Sequence, residues 1–220
     1  KTIKANKRNM KKQNQYSFEA ENTLVIAMGD PAGIGVEVTL KALGSSNLPK
    51  NMQPLLIGCK RTMQYIYSKL KAQGISSIAN PKELRIEDIP FTKNLIEGQA
   101  NQSTGAASFQ WLTRATEILL AKKARALVTA PIAKYAWQAA GYKYPGQTER
   151  LAELSGIQEP SMLFTARSPY SSFRLNTLLA TTHIPLIDVS KSLTPELISR
   201  KLDVLLAFCQ QFKKNPILSI

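Results

Sequence analysis

Leu24-Val-Ile-Ala-Met-Gly-Asp-Pro-Ala-Gly-Ile-Gly-Val-Glu-Val-Thr-Leu-Lys-Ala-Leu43 reads as a strand, a glycine loop and a helix in immediate succession. Leu24–Met28 is the short apolar run of a buried strand, and Val36–Leu43 is helical until Gly44 stops it. Backbone N–H groups at a helix start of this kind can hold a phosphate or carboxylate. The loop spacing nevertheless fits neither standard nucleotide motif. No Gly-Lys-Ser/Thr follows it, so it is not a Walker P-loop, and Gly33-x-Gly35 lacks the third glycine of the dinucleotide fingerprint. A tight strand-to-helix turn whose glycines merely permit positive φ explains the loop equally well.

The same alternation runs down the chain. Strands are predicted at Pro54–Gly58, Ala126–Ala130, Ser161–Thr165 and Phe173–Ala180. Helices are predicted at Lys60–Gln73, Ser103–Ala124 and Ile132–Ala140, from Thr148 onward, and from Thr194 to about Gln211. Residues 75–104 read as irregular, Asp188–Lys191 as a short connection, and Pro216–Ile220 as the start of a further strand. Leu112, Ala115 and Leu119 form one inward row, which assigns Trp111 to packing against a partner rather than to a ligand platform. Strands alternating with helices, without repeats or runs of hairpins, call for an α/β fold: a mostly parallel sheet flanked by helices on both faces.

Ligands of such folds sit at the carboxyl ends of strands. Besides the loop at 28–37, Tyr144-Pro-Gly-Gln-Thr-Glu-Arg-Leu-Ala-Glu-Leu154 and Ala180-Thr-Thr-His-Ile-Pro-Leu186 each follow a strand-like run, and the three loops are expected to make one cleft. Thr148 is predicted to be an N-cap with Glu149 in the first turn, a role that would by itself account for both. His183, the only histidine, is expected to follow a buried strand directly. Neutral imidazole held there is a common ligand for zinc, cobalt, nickel and iron. One histidine does not make a metal site, since a catalytic zinc takes three protein ligands. A complete site would need acidic residues, further sequence or a second subunit. No Gly-x-Ser-x-Gly elbow supports a Ser-His-acid triad.

The formal net charge is +14, and Lys1, Lys4, Lys7, Arg8, Lys11 and Lys12 carry a large part of it. Residues 1–23, polar and without periodicity, are expected to form a disordered basic tail. The other basic residues are spread along helices, with no RNA-recognition signature, zinc-finger spacing or aromatic-basic interleaving, so no nucleic-acid partner is expected. Hydrophobic residues make up 44% of the chain, which suits a globular protein, but no apolar run reaches a membrane span and no secretion signal is visible. Cys59 and Cys209 are read as two buried free thiols in a reducing compartment, and the protein as cytoplasmic with no membrane partner.

Four segments occur together in order: Gly29-Asp-Pro-Ala-Gly-Ile-Gly-x-Glu37, Val128-Thr-Ala-Pro-Ile132 with Lys134, Pro145-Gly-Gln-Thr-Glu149, and Ala180-Thr-Thr-His-Ile-Pro-Leu186. With them the chain, from about Leu24 to its end, resembles the 4-hydroxythreonine-4-phosphate dehydrogenases of pyridoxal-phosphate biosynthesis. The resemblance implies a fold similar to isocitrate and isopropylmalate dehydrogenases, with two α/β domains (24–145 and 146–220, the second partial) and an interdomain cleft. It implies NAD- or NADP-dependent oxidation of 4-phosphooxy-L-threonine to a 3-keto acid that decarboxylates to 3-amino-2-oxopropyl phosphate. It also implies a divalent cation (zinc, magnesium or cobalt) that holds the hydroxyl oxygen, and a homodimer that shares the metal site. By motif position His183 matches a metal ligand, and Gln147 and Thr148 match substrate-binding positions. No cofactor-binding residue is singled out, and Lys134 is read as a solvated helix lysine ahead of a phosphate or substrate contact.

Two departures from the family pattern bear on function. The family commonly has Gly-His-Thr-Glu where this chain has Gly146-Gln-Thr-Glu149, and Gln147 cannot take a proton at neutral pH. The family's other two metal histidines, and its basic and amide groups for the substrate, lie beyond the region matched here. The 220-residue chain is therefore expected to be a fragment, inactive alone. Two other readings compete: a related dehydrogenase or phosphate acyltransferase-like enzyme acting on another phosphorylated substrate, and a non-catalytic basic binding module.

Overall fold

The apolar run at Leu24 forms β1 (Thr23–Ala27), in which Val25, Ile26 and Ala27 are all buried. Consecutive strand residues point to opposite faces, so β1 is covered on both sides. The structure, a computed structural model, describes residues 20–45, 49 and 51–211. The basic residues Lys1 to Lys12 and the strand expected at Pro216–Ile220 lie outside these residues. Residues 20–22, expected in the tail, are helical, and Thr23, also assigned to it, is buried in β1. By its contacts the chain divides into two compact units, Lys1–Ile157 and Gln158–Ile220.

The first unit continues with α1 (Gly35–Leu43), β2 (Gln53–Gly58), α2 (Lys60–Ala72), β3 (Arg85–Asp88), α3 (Gln102–Leu120), β4 (Ala126–Thr129), α4 (Lys134–Ala139) and α5 (Gln147–Ser155). Its four strands are all parallel, in the order β3-β2-β1-β4. The α/β reading with a parallel, helix-flanked sheet therefore holds for this unit. Strand β3 corrects the irregular segment expected at 75–104. It is a four-residue edge strand whose Arg-Ile-Glu-Asp composition carries one apolar residue, too weak a signal to register.

Helix α3 lies over β1, β2 and β4 and is also the platform for α4 and α5. Asn101 starts it with a reciprocal cap: its Oδ1 accepts from the N–H of Ser103 and Thr104, while Thr104 Oγ1 accepts from the Asn101 N–H. Gly105 lets α4 approach closely, because a Cβ there would stand 2.1 Å from the Ala136 carbonyl oxygen. Trp111 is buried in the core of this unit, its indole N–H donated to the Ile89 carbonyl, which corrects its assignment to a partner. Trp137 is buried likewise and donates to Ser108 Oγ at 2.8 Å. Each such indole removes apolar area worth about 2–3 kcal/mol.

The second unit holds β5 (Leu163–Arg167), β6 (Arg174–Leu178), α6 (Leu186–Ser192) and α7 (Pro195–Gln210). Here the absence of hairpins fails, because β5 and β6 pair antiparallel. Ser168 makes the turn: its Oγ accepts from the N–H of Tyr170 and Ser171, and its own N–H is donated to the Phe173 carbonyl. Helix α6 replaces the connection expected at Asp188–Lys191. It has no buried residue, and hence no apolar periodicity to announce it. Helix α7 starts as expected, with Pro195 in the first turn and Thr194 Oγ1 accepting from the Leu197 N–H. Cys59 in the first unit and Cys209 in the second are both free and buried.

Candidate functional site

Chain direction makes one position in the first sheet special. From β1 the chain moves outward to β2 and β3, then returns to place β4 on the other side of β1. The carboxyl ends of β1 and β4 therefore flank a topological switch point, where open parallel sheets bind ligands. The loop after β1 begins at Met28 and the loop after β4 at Ala130, and the two are joined by the Asp30 N–H donated to the Pro131 carbonyl at 2.9 Å. Gly29 permits this meeting. Its φ is +69°, and a Cβ would stand 2.2 Å from the Pro131 carbonyl oxygen.

Asp30 is 2% exposed at this junction. Its Oδ1 accepts the Ala32 N–H at 2.8 Å and its Oδ2 accepts the Thr104 hydroxyl at 3.1 Å. Burial holds its carboxyl above the ordinary carboxylate range, with the Ala32 and Thr104 hydrogen bonds pulling the other way. Sequence reading passed over Asp30, although a charged residue in the loop just after a buried strand was a visible signal.

The third contributor is the start of α5. The 144–154 segment does not follow a strand, as expected, but the turn after α4 that ends in Gly141. Gln147 reaches back to the sheet, donating Nε2–H to the Ala130 carbonyl at 3.3 Å. Thr148 is not the N-cap. Gly146, extended directly after Pro145, takes that place, so α5 begins at Gln147 and Thr148 falls inside its first turn. Its side chain makes no cap bond and is exposed. Arg150, one turn further on, anchors the helix. Its guanidinium lies 4.6 Å over the Phe109 ring, donates to Thr113 Oγ1 and the Tyr144 hydroxyl, and pairs with Glu153.

Helix α4 begins at Lys134 instead of Ile132, with the extended Ala133 as its N-cap. Lys134 is thereby set beside Gly146: a Cβ on Gly146 would stand 3.7 Å from Lys134 Nζ and 3.4 Å from Glu149 Oε2. The first two expected loops thus come together in one unit, while the third lies in the other.

In the second unit His183 follows β6 by five residues. That strand is largely exposed, which corrects the buried strand expected before it. The imidazole is exposed and the residue is left-handed, with φ +58°. That conformation is uncommon outside glycine, and such outliers concentrate at functional positions. Among the described residues no group of three or more His, Cys, Asp or Glu is placed to hold a metal ion, so these residues do not make a complete metal site around His183.

The first unit is an α/β unit whose parallel sheet has a switch point, toward which the loops after β1 and β4 and the start of α5 converge. The family described as "Pyridoxal phosphate biosynthetic protein PdxA" matches residues 50–219. A 4-hydroxythreonine-4-phosphate dehydrogenase of Synechococcus sp. (strain RCC307) is 53% identical over 197 residues, 90% of this chain and 59% of that protein. One from Nostoc sp. (strain PCC 7120) is 44% identical, over 83% of this chain and 52% of that protein. The crystal structure of a 4-hydroxythreonine-4-phosphate dehydrogenase from Klebsiella pneumoniae superimposes with a TM-score of 0.74 at 28% identity, covering 86% of this chain and 60% of that one. The chain belongs to the PdxA family, as the resemblance led one to expect, and it spans between half and three-fifths of the length of these curated relatives.

Proposed function

We propose that this chain supplies the switch-point half of the substrate site in an enzyme that oxidises 4-phosphooxy-L-threonine. The hydroxyl-bearing carbon gives a hydride to NAD or NADP, the hydroxyl proton leaves, and the resulting 3-keto acid loses CO2 to give 3-amino-2-oxopropyl phosphate. The observation that carries this reading is the start of α5. In a chain of the PdxA family, Gln147 and Thr148 stand beside the carboxyl end of β4, and the Thr148 hydroxyl is not used to cap the helix.

Gln147 is a positioning and hydrogen-bonding group in this reading, not an acid or base. His183 offers one imidazole to a divalent cation, zinc, magnesium or cobalt, and the described residues do not complete such a site. The reading extends to a cytoplasmic homodimer with two domains of the isocitrate dehydrogenase kind and a cleft between them. Among the described residues no helix is long and apolar enough to cross a membrane.

A chimera tests the reading. In the Synechococcus relative, the 197 matched residues are replaced by those of this chain. The expected result is formation of NADH or NADPH dependent on 4-phosphooxy-L-threonine, strongly reduced by Thr148→Ala. A folded chimera that reduces neither nicotinamide would contradict it.

A further inference from the structure

Three parts of the first unit meet on Ala130. Its N–H is donated to the Ala27 carbonyl, beside β1. Its Cβ would stand 3.0 Å from a Cβ on Gly35, the first residue of α1. Its carbonyl accepts Gln147 Nε2–H from α5 at 3.3 Å. Asp30 acts on the next residue along, where its N–H is donated to the Pro131 carbonyl at 2.9 Å. The Asp30 carboxylate is 2% exposed and held at both oxygens, Oδ1 by the Ala32 N–H and Oδ2 by the Thr104 hydroxyl. A carboxylate so deeply buried is costly without such partners, so they fix where it stands. The Ala32 bond is local and shapes only the loop. The Thr104 bond spans 74 residues and fastens the loop to α3, the helix that also carries α4 and α5.

We propose that Asp30 is a positioning residue of the site: its tie to Thr104, passed on through the Pro131 carbonyl, fixes the Ala130 carbonyl and thereby the direction in which the Gln147 side chain points. This rests on the reading of Gln147 as a substrate contact. Asp30 itself is buried and acts only through Ala130 and Gln147. A glutamine side chain is long and loses rotamer freedom when it binds. Holding one amide N–H on Ala130 meets that cost in advance and leaves the second N–H and Oε1 for a ligand. Two substitutions separate the tie from the loop. Asp30→Ser keeps an oxygen for the Ala32 N–H but is too short to reach Thr104, whereas Asp30→Asn reaches both.

The first readout needs no substrate. It is the pair of side-chain amide signals of Gln147 in the 220-residue chain, assigned by their loss in Q147E. D30S is expected to shift them toward the values of a free glutamine and D30N to return them, while the indole signals of Trp111 and Trp137 report a folded core. T104V removes the same tie from the helix side and is expected to shift the Gln147 signals as D30S does, which serves if D30S does not fold. Gln147 signals that stay in place in folded D30S or T104V would overturn the proposal. The second readout is kinetic, in the Synechococcus chimera. D30S is expected to raise KM for 4-phosphooxy-L-threonine about tenfold, the scale of one lost hydrogen bond, with kcat changed less than about threefold, and D30N to restore KM. An enzyme that is merely destabilised loses active molecules, which lowers kcat at unchanged KM; that pattern in D30S would overturn the positioning role. An unaltered chimera without activity would overturn the substrate reading, and the Gln147 signals would still decide whether Asp30 positions that side chain.

Discussion

Asp30 joins the two loops of the switch point through its backbone N–H, and its buried carboxylate accepts from Ala32 in its own loop and from Thr104 of α3. Its folded pKa lies above the ordinary value because burial disfavours the charged form. For a raised pKa, the group's contribution to stability is full below the unfolded pKa and is lost as pH rises through the folded one. Asp30→Asn keeps the shape and both contacts, since Thr104 Oγ1 can donate to the Asn101 carbonyl and accept from the new amide. The melting temperature of D30N relative to the unaltered chain should therefore rise as pH is raised from the ordinary carboxylate range through the higher folded pKa. A pH-independent difference would contradict this. Thr148→Ala provides a second check at the same scale. An N-cap lost to alanine costs about 1 kcal/mol, whereas Thr148 caps nothing and its removal should cost no more than about 0.5 kcal/mol in urea unfolding. The sequence pointed to Thr148 as the helix start; the extended backbone after Pro145 puts the start at Gly146 instead, and the threonine hydroxyl is left without a capping role.

Helices α4 and α5 depend on α3 in different ways. At Gly105 a methyl would stand 2.1 Å from the Ala136 carbonyl, and backbone cannot yield as a side chain tip does. Gly105→Ala should destabilise the first unit by about 3 kcal/mol, with α4 displaced. Arg150 ties α5 down through Phe109, Thr113 and Tyr144 with its side chain only 15% exposed. Arg150→Ala should cost about 2 kcal/mol in urea unfolding. Arg150→Lys should recover only part of that, because lysine lacks the planar fork; full recovery would reduce the anchor to bare charge. What was legible at this scale follows apolar composition. Strands β1 and β2, which hold buried residues, and β4, partly exposed at the other edge of the sheet, are all apolar runs and could be seen in the sequence. Strand β3 at the sheet edge and helix α6 with no buried residue carried no such pattern. The β5–β6 strands were seen but not their pairing, which the serine-rich turn at 168–172 sets.

For the molecule as a whole, the α/β class could be read from the alternation of strands and helices, and the family from four short motifs. The place of Lys134 and Glu149 beside Gly146 could not. A glycine before a helix looks like any turn until the space around its Cα is seen. His183 was visible as a lone histidine, but its left-handed backbone was not. If substrate binds at the switch point of the first sheet, an amide chemical-shift map of the 220-residue chain titrated with 4-phosphooxy-L-threonine will show saturable shifts gathered at Met28–Gly33, Ala130–Lys134 and Gly146–Glu149. Shifts confined to other segments, such as the β5–β6 hairpin, or no saturable shifts at all, would contradict it.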